Sequence, residues 1–105
     1  MSYKLFIDDE RFPIGDDWTI VRSSQEAMDL ITYAGMPKYI SFDHDLGDND
    51  TAMKLVHFMV ARTLDTGEYD KFPRDFYVHS QNPIGKGNIE SYMNRFIEFL
   101  DAQGK

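Results

Sequence analysis

Three apolar runs in this chain each end in side chains that handle metal ions and phosphate. Tyr3-Lys4-Leu5-Phe6-Ile7 runs into Asp8-Asp9-Glu10-Arg11, and Tyr39-Ile40-Ser41-Phe42 into Asp43-His44-Asp45. Phe76-Tyr77-Val78 runs into His79-Ser80-Gln81-Asn82. Carboxylates with imidazole suit a divalent cation, and hard oxygen ligands lean toward Mg2+ or Mn2+. Adjacent Asp8 and Asp9 point in different directions at a strand end, so one can bind metal while the other orients a water or a basic group. Arg11, so near carboxylates, is placed to clamp a phosphate. Asp43 is the strongest metal candidate. Asp45 is a second, although it equally suits capping the turn at Leu46-Gly47.

His44 can bind metal, shuttle a proton or hold a loop, and His79 is a general acid or base candidate near neutral pH. Ser80 and Asn82 offer hydrogen bonds to phosphate oxygens. Asn82-Pro83-Ile84-Gly85-Lys86-Gly87 reads as a turn-rich loop whose glycine amides, with Lys86, could hold an anion ahead of a helix capped by Asn88. His57 sits mid-helix without polar neighbours and reads as a surface or core-edge residue. Trp18, Tyr92, Phe96 and Phe99 read as packing residues.

Positioning these groups requires strands that stop together. Residues 3–8, 18–21, 38–42 and 76–78 read as strands. Ser23-Ser24-Gln25-Glu26 matches a capping box, and Ala27, Leu30, Ile31 and Ala34 then recur at helical spacing. A second helix is expected from Thr51 to Leu64, with Ala52, Leu55, Val56 and Met59 on its inner face. Residues 65–74 form a polar connection, and the last helix carries Ile89, Tyr92, Met93, Phe96 and Leu100. Strands separated by helices imply a parallel sheet with right-handed crossovers. Open parallel sheets place ligands at the carboxyl ends of their strands.

The 105 residues suffice for one domain, 1–105, with a real core. A net charge of −7 argues against broad gripping of DNA or RNA backbones, while leaving a single RNA end or nucleotide open. The absence of cysteine removes thiolate nucleophiles and cysteine-ligated metal, and fits a cytoplasmic location. No apolar run approaches the ~18 residues of a membrane span, and Met1-Ser2-Tyr3-Lys4 does not open a signal peptide.

The runs Leu5-Phe6-Ile7-Asp8-Asp9-Glu10-Arg11-Phe12-Pro13, Ser41-Phe42-Asp43-His44-Asp45-Leu46-Gly47 and Val78-His79-Ser80-Gln81-Asn82-Pro83-Ile84-Gly85 resemble the cyclic-phosphate processing receiver domain family. This family is a divergent branch of the response-regulator receivers. The resemblance implies a receiver-like (flavodoxin-like) three-layer α/β/α sandwich, here with a reduced parallel sheet of about four strands. It implies that Asp8 and Asp9 form the acidic metal-binding pair, that Asp43 stands in the phospho-acceptor position, and that Ser80 is the switch hydroxyl. The fifth strand of a receiver and its phosphate-binding lysine have no evident counterpart, and Lys86 is not assigned that role.

The resemblance points to a phosphoesterase that uses Mg2+ or Mn2+ to open a cyclic phosphate, at a 2′,3′-cyclic RNA end or in a cyclic nucleotide. Asp8, Asp9, Asp43 and Asp45 would bind metal. His44 and His79, with Asp43, would carry the chemistry, and Arg11, Ser80, Asn82 and Lys86 would position the phosphate. Two other readings compete. One is a signalling module phosphorylated on Asp43. The other is a non-catalytic module that binds a nucleotide, an RNA end or a protein partner.

Overall fold

The computed structural model describes residues 2–103. The strands are β1 (Lys4–Ile7), β2 (Trp18–Val21), β3 (Tyr39–Phe42) and β4 (Asp75–Val78). The α-helices are α1 (Ser24–Ala34), α2 (Ala52–Thr66) and α3 (Pro83–Ala102), and one 3-10 turn spans Tyr69–Lys71. All strand pairs are parallel, in the order β2-β1-β3-β4. This is the receiver-like parallel α/β sheet expected from the sequence.

In-register pairing sorts the side chains onto two faces, because neighbours across a parallel sheet share a face and alternate along each strand. Leu5, Ile7, Val21, Ile40, Phe42 and Val78 form one face and are buried. They join Ala27 and Ile31 of α1, Leu55, Val56 and Met59 of α2, and Ile89, Met93, Phe96 and Leu100 of α3 in a single core. Lys4, Phe6, Trp18, Ile20, Tyr39, Ser41 and Tyr77 form the other face.

All three helices therefore cover one face, and the second outer layer of the expected sandwich is irregular chain. The crossover rule supplies the reason. The β2-α1-β3 and β3-α2-β4 connections step in the same direction across the sheet, so right-handedness puts both helices on one side. Only β1 to β2 steps the other way, and its Pro13, Gly15 and paired aspartates do not form a helix. That segment reaches the far face through Asp17, 3.1 Å from Lys4 Nζ, and through the Ile14 carbonyl, which accepts from Trp18 Nε1.

Local signals set most element ends. Ser23 caps α1 by accepting from Glu26 N–H, while Glu26 reaches back one residue further than a capping box requires, to Arg22 N–H. The last helix departs from expectation. It begins at Pro83, with Asn82 as its cap accepting from Gly85 N–H, so Asn88 is not the cap. Proline is favoured at a first helical position, where no N–H is needed. Gly85-Lys86-Gly87 is thus helix rather than loop, and the proposed glycine anion cradle is not formed.

Candidate active site

The sheet register continues one residue beyond the strands. Asp43 N–H donates to Ile7 O at 2.9 Å, and His79 N–H to Phe42 O at 2.8 Å. Asp8, Asp43 and His79 therefore stand side by side as the next transverse row. Alternation turns them away from the helices, above Phe6, Ser41 and Tyr77. One ligand atom from each lies within 4.8 Å of the others.

Asp8 is the fixed point of the row and is fully buried. Its Oδ1 accepts from Glu10 N–H at 2.9 Å and Arg11 N–H at 2.8 Å, the local turn that aspartate forms readily. Its Oδ2 meets His79 Nε2 at 2.9 Å and Arg11 Nε at 3.1 Å. Burial pushes the Asp8 carboxyl up. The Arg11 and Glu10 backbone N–H groups, His79 and the Arg11 charge outweigh it and hold the carboxyl below its ordinary value. Arg22 braces this turn from outside, donating to the carbonyls of Asp8 and Arg11 while its guanidinium lies over the Phe12 ring.

His79 is held on three sides. Its ring stacks on Phe6 at 4.6 Å with planes 4° apart, and its Nδ1 meets Ser41 Oγ at 2.8 Å. Asp43 is less encumbered. Its side chain is 8% exposed, and its single partner among the described residues is Arg11 Nη2, 3.4 Å from Oδ2.

Asp43 opens on a pocket of about 370 Å³, which is also lined by Asp9, Glu10, Asp45, Arg11, Gly47, Ser80, Gln81 and Asn82. The following row, Asp9, His44 and Ser80, has alternated back. Asp9 is exposed at the rim. His44 turns toward α3 and lies directly under Gly85, where a Cβ would stand 2.4 Å from its Cγ. Its Nδ1 meets Asp45 Oδ1 at 3.0 Å, and Asn82 Nδ2 donates to Asp45 Oδ2 at 3.2 Å. These bonds, His44 first, hold Asp45 below its ordinary value.

Arranged this way, the strand ends bring two carboxylates and one imidazole together at one rim of the sheet. A family model described as the cyclic-phosphate processing receiver domain matches residues 3–95. The chain belongs to that family. Searches of curated proteins and of solved structures return no match.

In this receiver domain the residues expected at the site divide into three groups. Asp8, Asp43 and His79 converge. Asp9, Arg11, Asp45, Ser80 and Asn82 line the adjoining pocket with Asp43, although Asp9 and Asp45 lie outside the three-residue cluster. His44 stands behind Asp45, and Lys86 lies away from the pocket wall on α3, with Nζ 5.9 Å from the Tyr77 ring centre. His57, as expected, is an exposed helix residue, here set edge-on against Tyr92.

Ser41 and Arg22 join the site without having been expected there. Ser41 carried a usable signal: it is a lone hydroxyl two residues before Asp43 on an otherwise apolar strand, hence on the same face. Arg22 carried none.

Asp50 is a further unforeseen anchor, since it fastens the β3–α2 loop to α1. It accepts from Ser24 N–H at 2.8 Å and Ser24 Oγ at 2.5 Å, with Lys54 Nζ 3.7 Å away. Burial raises the Asp50 carboxyl, but the Ser24 bonds and Lys54 outweigh it and lower it overall. A depressed carboxyl stabilises the fold fully above its unfolded value and loses that contribution as pH falls through the folded one. Melting temperature should therefore hold down to about pH 4 and then drop, with Asp50→Asn giving a lower plateau and a shallower acid slope. Parallel acid slopes for the two proteins would rule Asp50 out as a contributor.

Proposed function

We propose that this receiver domain is a metal-dependent phosphoesterase that opens a cyclic phosphate, with a 2′,3′-cyclic RNA end or a cyclic nucleotide as substrate. The observation supporting this reading is the convergence of Asp8, Asp43 and His79 beside a pocket that also presents Arg11, Ser80 and Asn82. The donor set fits a divalent cation. Both of its carboxylates are buried, and one Asp43 oxygen has no donor among the described residues. Asp8 and Asp43 would hold Mg2+ or Mn2+, which when bound offsets charge on the phosphoryl oxygens.

The protein's own groups supply the rest. Arg11 carries a guanidinium at the pocket wall, where it can bind phosphoryl oxygens in the fork geometry phosphate favours. Ser80 and the Asn82 amide add neutral donors. Water adds to phosphorus, the bond to one ribose oxygen breaks, and that oxygen takes a proton, leaving a phosphomonoester. Asp45 lines the pocket and its Oδ1 meets His44 Nδ1 at 3.0 Å, so in this reading His44 would exchange a proton with the pocket through the Asp45 carboxylate. Both nitrogens of His79 have partners, Ser41 Oγ and Asp8 Oδ2, so in this reading His79 orients the row and His44 handles the proton.

Incubating the protein and Mg2+ or Mn2+ with RNA oligonucleotides ending in a 2′,3′-cyclic phosphate should yield products heavier by one water. Arg11→Gln should lower kcat/KM by about 10²-fold, the scale for removing one transition-state donor. No turnover of cyclic RNA ends or cyclic nucleotides, with metal binding demonstrated, would count against the reading.

The partnerless oxygen of the buried Asp43 also favours a second reading, phosphorylation of Asp43 as in signalling receivers. A small phosphodonor followed by intact mass separates the two. A stable adduct absent from Asp43→Asn would support the switch.

A further inference from the structure

His79 is supported from outside the acidic cluster. The Ser41 hydroxyl on Nδ1 is 5% exposed as a residue, and the Phe6 ring fixes the plane of the imidazole. A serine hydroxyl accepts a hydrogen bond as readily as it donates one. Ser41 can therefore satisfy either neutral form of the ring. With the proton on Nε2, the ring donates to Asp8 and Ser41 donates to Nδ1. With the proton on Nδ1, the ring donates to Ser41 and Nε2 presents a lone pair to the space it shares with Asp8 and Asp43. Asp8 stays aimed in both cases, because its Oδ1 remains held by two backbone N–H groups. A second observation points to a ligand beside that space: the Asp43 side chain is more than nine-tenths buried, yet one of its oxygens has no donor among the described residues, and Asp43 lines the adjoining pocket.

We infer that His79 is a metal ligand through Nε2, with Ser41 as the positioning residue that holds Nδ1–H and thereby exposes that nitrogen. The inference rests on the metal requirement of the proposed function and narrows it. A site with two carboxylates and one imidazole favours first-row transition ions over Mg2+, because Mg2+ takes oxygen ligands and gains little from imidazole. Metal-bound histidines usually donate their other ring N–H to a fixed acceptor, the place Ser41 occupies.

The test uses the full chain and metal alone. Mn2+ and Mg2+ are titrated separately by calorimetry, and pulsed electron paramagnetic resonance of bound Mn2+ reports directly coupled nitrogen. Mn2+ should bind at least about tenfold tighter than Mg2+. Its spectrum should carry an imidazole nitrogen coupling that changes when histidine is supplied as the heavy-nitrogen isotope and vanishes in His79→Gln. Ser41→Ala should weaken Mn2+ binding by about 10–100-fold, with a smaller change for Mg2+, and Ser41→Thr should restore it.

Isotope labelling of the unmodified chain keeps the inference falsifiable if either variant fails to fold. Mn2+ bound without histidine nitrogen coupling would overturn the inference and leave the phosphoesterase reading standing. Nitrogen coupling without turnover of any cyclic phosphate would keep the metal assignment and remove that reading. Failure of both ions to bind would remove both.

Discussion

Asp8→Ala should destabilise the domain by about 3 kcal/mol, because the deletion strands several donors at once. The Glu10 and Arg11 N–H groups lose their shared acceptor, His79 Nε2 loses its partner, and the Arg11 guanidinium keeps only its longer contact to Asp43. A buried donor left unsatisfied costs about 1–3 kcal/mol, and solvent reaching the exposed Glu10 and Arg11 reduces their share. In a domain of about 100 residues this lowers Tm by more than about 10 °C. Asp8→Asn should recover roughly half, since an amide oxygen can still accept from both backbone N–H groups while its NH2 faces Arg11 donor to donor. Urea unfolding of the three proteins makes the comparison. Both variants within about 0.5 kcal/mol of the parent would mean that the Asp8 network does not hold the strand ends together.

Gly85→Ala carries the second large effect, in the direction opposite to helix propensity. Alanine in a helix interior is favoured over glycine by about 1 kcal/mol. Here the added methyl would stand 2.4 Å from His44 Cγ and 2.6 Å from its Nδ1, and both are ring atoms with no flexible end to give way. Either α3 lifts or His44 leaves its place against Asp45. Forcing extra volume into a packed site costs about 1–3 kcal/mol, so the net change is a loss of about 1–2 kcal/mol.

A displaced His44 also frees Asp45 at the pocket wall, so turnover or pocket ligand binding should fall more than stability alone explains. The discriminating experiment is a double-mutant cycle. In His44→Ala the space is open, and Gly85→Ala should become neutral or stabilising, a coupling of about 1–3 kcal/mol. Additive effects would show that the contact is not what makes glycine necessary. The close approach also explains this glycine physically, since its φ is helical and needs no left-handed freedom.

Much of the architecture was readable from local pattern. Strand and helix order followed from switches between alternating and helical spacing, and the three polar clusters marked where the strands stop. Ser23 and Glu26 announced the start of α1. The start of α3 was misread, because Asn82-Pro83 and the two glycines carry turn signals as strong as their helix signals. Asn82 became the cap only because its side chain closes on Gly85 N–H while Gly85 packs against His44. The one-sided placement of the helices was implicit in the strand order, but sequence alone does not reveal that β2 lies outside β1.

By itself, the sequence determined the kinds of side chain delivered to the sheet rim and their family, because both are written in short contiguous runs. Tertiary structure alone decided the partnerships: His79 with Asp8 across 71 positions and with Ser41 across 38, Arg11 with Asp43 across 32, and Ser24 with Asp50 across 26. Those bonds depend on sheet register and on a few ångströms of helix approach, quantities that no local periodicity contains. For that reason His79, which reads as a proton carrier in one dimension, stands with both nitrogens engaged once the strands are paired.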